Sequence, residues 1–277
     1  MKLPNYIDYL AVGHICYDLT PAGPVIGGSA AYAGEVAQVL GLRTAVVTSS
    51  TVEEEWETAL PGVTVHRIPS EQTTIFENVY SAEGRTQTIH AVADNIASKD
   101  IPAAWQRASI VHLAPIANEV DPSILHLFSN SLVGLTPQGW MRRWDEKGLV
   151  SARIWSAAEV YLPLAVVVII SEEDLLDDDM LDNYRKWSRL LVMTRGEDGC
   201  TVFLGQEVHH FPTLSRGKVD TTGAGDIFAA AFLIRLLQTD GNPSEAARFA
   251  NEAAAMSVTV EGLGEKMRVL GEWKSAY

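Results

Sequence analysis

Only two cysteines occur in the 277 residues, Cys16 and Cys200, far apart and neither in a C-x-x-C pair. That pattern supports no disulfide framework and no cysteine metal knuckle, so two reduced thiols are expected. Basic residues are scarce as well: 21 Lys and Arg stand against 35 Asp and Glu, a formal charge of −14. Neither nucleic acid nor an anionic membrane is expected as a partner, because each needs a basic footprint. A phosphorylated ligand stays compatible, since a few backbone N–H groups and one cation can hold a phosphate locally. Long apolar runs are also missing. The longest, residues 162–170, includes Pro163 and is too short to span a bilayer. Residues 1–9 have one Lys and no long apolar stretch, unlike a signal peptide, so a cytoplasmic location is expected. No repeat, low-complexity linker or domain break interrupts the chain, and 47% hydrophobic residues suffice for a large core. One α/β domain spanning 1–277, with a small appendage, fits this length.

What is present alternates. Residues 6–15 read as a buried strand ending at Gly13-His14, followed by a Gly/Pro-rich loop over 21–28. A small-residue helix over 29–40 opens at Gly27-Gly28, and residues 44–49 are β-branched. Strand, helix, strand begins a parallel sheet. Residues 63–68, 73–80 and 85–92 are strand-like with no helix between them, and Ser81-Ala82-Glu83-Gly84 reads as a hairpin turn. Such strands cannot continue a parallel sheet, so a small antiparallel β lid is predicted over about 63–92. Alternation then resumes, with strands over 110–113, 132–135, 165–170, 190–194 and 201–204. A helix over 123–128 follows the cap Asp121-Pro122, the acidic stretch 172–182 is a loop and helix start, and 226–238 and 243–260 are the last helices.

The strongest constellation is Asp220-Thr221-Thr222-Gly223-Ala224-Gly225-Asp226 and the apolar, Ala-rich run after it. That run predicts a buried helix, with Gly223, Ala224 and Gly225 at its N-terminus. Small residues let a ligand approach the backbone, and the helix end offers free N–H groups and partial positive charge. The result is an anion hole, with the Asp226 carboxylate within reach of its occupant. The same residues also suit a tight loop with Asp226 as a helix cap. On the residues alone both readings stand.

The run D-T-T-G-A-G-D before an apolar helix resembles the signature of the ribokinase (PfkB) family of carbohydrate kinases. Gly27-Gly28 resembles the family's first, glycine-pair signature. Gly13-His14-Ile15-Cys16-Tyr17-Asp18 resembles its first strand end, and Thr194-Arg195-Gly196-Glu197-Asp198-Gly199 its T-x-G-x-x-G turn. The likeness covers roughly residues 6–266. Gln138-Gly139-Trp140-Met141-Arg142, with Ser171-Glu172-Glu173 and the lid run 73–80, looks like the inositol-kinase-like branch. Gln138 and Arg142 would line the substrate or close a sheet edge.

The resemblance implies a ribokinase-like three-layer sandwich with a mainly parallel central sheet. It implies Asp226 as catalytic base, and Gly223, Ala224 and Gly225 as the hole for the transferring phosphoryl group. Asp18 would bind substrate hydroxyls, Gly28 would admit the substrate to the backbone, and Tyr32 would face it. Thr194, Gly196, Gly199 and Asn251 would meet the nucleotide. Asp220, Thr222 and residues 260–264 resemble the monovalent-cation site of some members, which makes K⁺ a candidate. The family's N-x-x-E segment, which organises Mg²⁺, falls on Ser171-Glu172-Glu173-Asp174. Asp174 would supply the metal's oxygen, or Glu173 in a shifted register. Cys16, Ser29 and Tyr32 differ from the Asn, Lys and Asn of ribokinase itself, which argues against ribose. The expected activity is ATP- and Mg²⁺-dependent phosphoryl transfer to a sugar or cyclic polyol. Two alternatives are a nucleoside kinase, with Phe76 or Tyr80 clamping the base, and a catalytically idle ligand-binding homologue. An exposed lid edge would suit a homodimer.

Overall fold

The computed structural model describes residues 4, 6–81, 84–214 and 216–276. Strands β1 (Tyr9–Val12), β4 (Thr44–Ser50), β5 (Val63–Pro69), β8 (Ile110–Leu113), β9 (Leu132–Leu135), β12 (Val167–Ser171), β13 (Leu191–Thr194), β14 (Cys200–Leu204) and β15 (Glu207–Phe211) form the large sheet. Their order is β15-β14-β13-β12-β9-β8-β1-β4-β5. Pairing is parallel from β13 to β5 and antiparallel only at β14 and β15. Parallel strands need covered faces, and the side-chain alternation provides for both. Tyr9 and Ala11 point into one core while Leu10 and Val12 point into the other, and Val167/Ile169 and Val168/Ile170 repeat the division.

On the first face lie α1 (Ser29–Val39), α5 (Ala224–Gln238), α6 (Pro243–Ser257) and α7 (Leu263–Ala276). The middle of α5 is apolar on every side because it is fully enclosed. It packs closely on β9: a Cβ on Gly134 would meet Leu233 at 2.4 Å. On the second face, short helices α3 (Ala158–Tyr161) and α4 (Asp178–Trp187) and several 3₁₀ turns pack with Trp105, Trp140 and Trp155. The remaining short helix, α2 (Trp56–Ala59), joins β4 to β5. The three-layer expectation is met.

The lid differs from expectation in two ways. It consists of β2 (Cys16–Thr20), β3 (Gly23–Gly27), β6 (Thr74–Ser81) and β7 (Gly84–Ala91), in the order β3-β2-β6-β7. Two antiparallel hairpins are joined by one parallel pair, β2 with β6. The Gly/Pro-rich stretch read as a loop thus supplies β3, with Pro24 on an edge strand where a missing N–H costs nothing. Conversely, β5 is not part of the lid. It pairs with β4 along seven residues of the large sheet, and the four-residue α2 was too short to mark the crossover. The lid therefore draws on residues 16–27 and 74–91 rather than 63–92. The tip, residues 82 and 83, lies outside the described residues. A further hairpin, β10 (Arg142–Trp144) with β11 (Val150–Ala152), flanks β7, where the Ile89 N–H donates to Gly148 O at 2.8 Å.

The body holds a buried polar junction under β1 and β8. His112 is fully buried, with Nδ1 2.8 Å from the Tyr9 hydroxyl and Nε2 3.0 Å from Thr136 Oγ1. Burial keeps the imidazole neutral and pushes its pKa down to about 3. As pH falls from about 6.5 the unfolded chain takes up a proton that the folded chain refuses. The stabilisation is complete above the unfolded value and is lost through the window toward 3, at up to about 1.4 kcal/mol per pH unit. His112→Gln is expected to be less stable than wild type at neutral pH but to show a flatter pH slope. Denaturant titrations between pH 6.5 and 5 measure this, and equal slopes would show that the folded imidazole titrates freely.

Candidate active site

Parallel sheets bind ligands outside the carboxyl ends of their strands, and that is where one continuous cleft of about 610 Å³ opens. The ends of five parallel strands contribute. Beyond β1 come Cys16 and Asp18, beyond β8 Ile116, and beyond β9 Gln138. Beyond β12 come Ser171 and Glu173, and beyond β13 Thr194 and Gly196. The N-terminus of α5 with Gly223, Ala224, Gly225 and Asp226 forms the floor, and the lid side chains Phe76, Asn78 and Gln87 form a wall. The residues named from sequence for hydroxyl binding, phosphoryl transfer and nucleotide binding thus line one space.

The helix end is shaped by a close approach. Gly223 caps α5 in the left-handed region (φ 75°), and a Cβ there would meet the Tyr32 ring at 2.3 Å. Only glycine fits both the backbone angle and that contact. The Ala224 N–H donates to Thr221 O at 3.1 Å, so this amide closes the turn rather than facing the cleft. The Gly225 position is open, with no atom within 4 Å of where its Cβ would be. Tyr32 is 3% exposed and lines the cleft. Its pKa is raised by burial first, then by the charges of Asp226, Asp220 and Asp18. The phenol thus stays protonated between carboxylates and can donate a hydrogen bond into the cleft.

At the other end, Asp18 Oδ1 accepts from Asn78 Nδ2 at 3.1 Å, and Asn78 Oδ1 accepts from Gln87 Nε2 at 2.9 Å. This cross-strand relay orients the carboxylate from the lid. Sequence reasoning missed Asn78 and Gln87 as site residues. The signal available was the period of two: Phe76 and Asn78 face the cleft together from β6. Gly28 caps α1 with φ 94°, its Cβ direction blocked by His14 O at 2.4 Å. Arg142 also lines the cleft, its guanidinium 6.0 Å from the Phe76 ring centre and donating to Ile116 O. The side chain of Tyr80 lies outside the described residues.

The lid is jointed to the body by buried polar groups. His14 is fully buried, with Nε2 3.0 Å from Asp94 O and Nδ1 2.7 Å from Thr74 Oγ1. A carbonyl only accepts, so Nε2 carries the proton and Nδ1 accepts from the Thr74 hydroxyl. Glu119, also fully buried, accepts from the amides of His14, Ile116 and Ala117 and so ties the ends of β1 and β8 together.

On the remaining side, Thr194 Oγ1 donates to Ile170 O, and Gly196 and Gly199 hold the turn after β13. Asn251 is buried rather than exposed. Its Nδ2 donates to Phe211 O at 2.8 Å, pinning the end of β15 beside α6 while the residue still lines the cleft. Two cations absent from the sequence reading, Arg216 and Lys218, also line the cleft, and Lys218 pairs with Glu197. Both occupy an irregular stretch with no periodicity to flag them.

The acidic turn resolves differently from its first reading. Asp174 is not among the cleft residues. Its Oδ2 accepts from the Ser171 N–H at 3.0 Å and its Oδ1 from Gln138 Nε2 at 3.1 Å, a capping arrangement for the turn 172–174. Glu173, the alternative in the shifted register, does line the cleft. No cluster of three or more His, Cys, Asp or Glu positioned for a metal exists among the described residues. A single carboxylate fits Mg²⁺, which is commonly held by one or two carboxylates, phosphate oxygens and water. Below the α5 loop, Asp220 Oδ1 accepts from the Thr222 N–H (2.8 Å) and Oδ2 from the Gly262 N–H (3.3 Å). Lys266 Nζ donates to Asp220 O at 2.6 Å and lies 3.2 Å from Oδ2. Burial of Asp220 pushes its carboxyl up, but the Thr222 and Gly262 hydrogen bonds and the Lys266 charge outweigh this, and the pKa falls below the ordinary value.

Residues 169–269 match the model of the pfkB family carbohydrate kinases. The chain is 27% identical over 250 residues to a cytidine kinase of Thermococcus kodakarensis, covering 82% of this chain and 87% of that one. It is 29% identical over 185 residues to a fructokinase of Escherichia coli, 59% of either chain. Among solved structures, a pyrophosphate-dependent kinase of the ribokinase family, complexed with a pyrophosphate analogue and myo-inositol, superposes with TM-score 0.78 at 21% identity. That match covers 92% of this chain and 96% of the other. Ribokinase of Thermotoga maritima superposes with TM-score 0.73 at 20% identity, over 98% and 100% of the two chains. No helix among the described residues is long and apolar enough to cross a membrane. Residues 169–269 thus match the model of the pfkB family carbohydrate kinases, and the chain as a whole has a ribokinase-like fold.

Proposed function

We propose that this protein transfers the γ-phosphoryl group of ATP to a hydroxyl of a sugar or cyclic polyol. The observation that carries the reading is the shared cleft. Asp226 stands at the N-terminus of α5 and Asp18 in the lid, with the Tyr32 phenol subject to the charge of both. Asp226 takes the proton of the attacking hydroxyl. The amides at the α5 end, Gly223 and Gly225 foremost, stabilise charge on the transferring group, with the helix dipole behind them. The Ala224 N–H contributes by holding the turn. Asp18, oriented by Asn78 and Gln87, accepts from neighbouring hydroxyls of the acceptor, and Tyr32 donates to it. Thr194, Gly196, Gly199 and Asn251 frame the nucleotide, and Arg216 and Lys218 meet its phosphates. Mg²⁺ when bound would neutralise phosphate charge, and Glu173, which lines the cleft, would hold it. Closure of the lid excludes water, which would otherwise compete as acceptor.

The acceptor wall supports a polyhydroxylated ring. Asp18, Ser29, Tyr32, Asn78, Gln87 and Gln138 supply six polar side chains facing one space. A nucleoside acceptor is the second reading, favoured by Phe76 in the same wall and by the likeness to a cytidine kinase.

Asp226→Asn is expected to lower kcat by about three orders of magnitude or more, with nucleotide affinity by calorimetry within about threefold of wild type. Near-normal turnover in this variant sinks the mechanism. A panel of myo-inositol, fructose, ribose, cytidine and adenosine, each offered with ATP and with pyrophosphate, should give turnover with a sugar or polyol and ATP. Turnover only with a nucleoside, or only with pyrophosphate, overturns the stated acceptor or donor. With the best acceptor, Asp18→Asn is expected to raise KM by about tenfold or more, because a charged hydrogen bond to the acceptor is lost.

A further inference from the structure

A lysine with no exposed surface is costly unless its charge is met by fixed oxygens. Lys266, on α7, is such a residue at 0% exposure. Its ammonium is held by the carbonyl oxygen of Asp220 at 2.6 Å and by the Asp220 carboxylate at 3.2 Å. These oxygens belong to the loop that runs directly into Gly223 and the helix end. The same loop is fastened on its other side, where the amides of Val219 and Asp220 donate to Val258 O. The turn before α7 closes the assembly through the Gly262 N–H to Asp220 Oδ2.

The family resemblance implies a monovalent-cation site at Asp220, Thr222 and residues 260–264. The structure does not leave room for one on Asp220. Its carbonyl and one carboxylate oxygen face the lysine ammonium, and the other carboxylate oxygen is engaged by the Thr222 N–H. A potassium ion sharing these oxygens would lie against a like charge in a buried setting. An ammonium carries the same charge and, like the ion, satisfies carbonyl and carboxylate oxygens.

We propose that Lys266 is a tethered cation that takes the place of a diffusible monovalent ion, positioning the 220–225 loop for phosphoryl transfer without K⁺ or Na⁺. Lys266 is a positioning residue. It reaches the reaction through Asp220 and the loop, not by touching the transferring group. The catalytic part of the proposal rests on the kinase reading above. The structural part, a cation requirement met from within the chain, does not.

The test uses the full chain at constant ionic strength, with choline chloride replaced stepwise by KCl, NaCl or methylammonium chloride. Wild-type kcat and melting temperature are expected to be the same in all four salts. Lys266→Ala opens a hole at the oxygens. It is expected to lose about fifty-fold or more in kcat in choline, to regain at least about tenfold in potassium or methylammonium, and to melt about 2–4 °C higher in those salts. Lys266→Met fills the hole with an apolar chain and is expected to show the loss without the rescue. Recovery of folded Lys266→Ala only from potassium-containing buffer supports the proposal equally. Activation of the wild type by potassium of more than about fivefold overturns it, as does a Lys266→Ala protein whose turnover and melting ignore the salt. If no acceptor is turned over by wild type, the kinase reading fails, and the melting temperatures alone still decide whether a cation binds where the lysine was.

Discussion

A helix end that is to hold an anion between carboxylates has to be balanced, and the N-terminus of α5 shows how the balance is struck. Asp220 precedes it and Asp226 lies in its first turn. Left alone, Asp220 would oppose every phosphate brought to the amides beyond it. The lysine of α7 and two backbone N–H groups hold that carboxylate below the cleft floor. Asp226 is then the carboxylate of the motif that lines the cleft with the helix end. The overall charge of −14 matters far less to a phosphate than these neighbours do. Charges beyond about 8 Å are screened by salt, whereas groups lining a half-enclosed cleft are not. The cations that count are Arg142, Arg216 and Lys218 along the walls and Lys266 beneath.

The second requirement is that the lid sheet is held in place against the large sheet. The carboxylate of Asp18 belongs to the lid, yet β2 continues directly from β1 of the large sheet through His14. A purely apolar joint would tolerate slippage, because burial is non-directional. The joint here is directional. His14 donates to Asp94 O and accepts from Thr74, whose oxygen in turn accepts from the Ala93 N–H. Glu119 fixes the backbone on the other side of the same turn by meeting three amides. His14, Thr74 and Glu119 are buried, so breaking one of their bonds leaves an unpaired polar atom. The attachment of β2, which carries Asp18, to the end of β1 is fixed there, outside the cleft.

How much of this is legible in the sequence depends on whether local pattern or tertiary contact decides. The D-T-T-G-A-G-D run and the helix after it are legible because chemistry and periodicity coincide within twenty residues. Strands β1, β8, β12 and β13 are legible because burial on both faces leaves a plain apolar run. The strands β3 and β15 are not. Gly23 and Pro24 read as loop, and Glu-Val-His-His-Phe has little alternation because β15 is an exposed edge. The helix α7 was missed for a related reason. Two glycines and scattered charges, in Leu-Gly-Glu-Lys-Met-Arg-Val-Leu-Gly-Glu, blur its apolar face. Lys266 in that run looks like any solvated lysine, and only the fold shows that Asp220, 46 residues earlier, is its partner. Between Asp174 and Glu173 the deciding fact was also tertiary: Gln138, from the end of β9, turns Asp174 into a cap.

The two departures from the resembled pattern, at residues 171–174 and at Lys266, share a physical logic. Both concern positive charge on the donor side of the cleft. A carboxylate whose oxygens cap a turn and accept from Gln138 has little left for a metal, so in the proposed reaction the metal's protein share would fall to Glu173 and the rest to phosphate and water. A cation tethered to α7 cannot diffuse away, and its entropic cost is met once, during folding, rather than at each binding event. Positive charge on this side therefore resides largely in the chain, in Arg216, Lys218 and Lys266. On the proposed acceptor side, neutral hydrogen-bonding groups surround Asp18, with Arg142 as the cation lining the cleft there. In the proposed reaction, such a division would put the strong electrostatics where phosphate charge has to be carried, and would leave selection of the acceptor to the geometry of hydroxyl contacts.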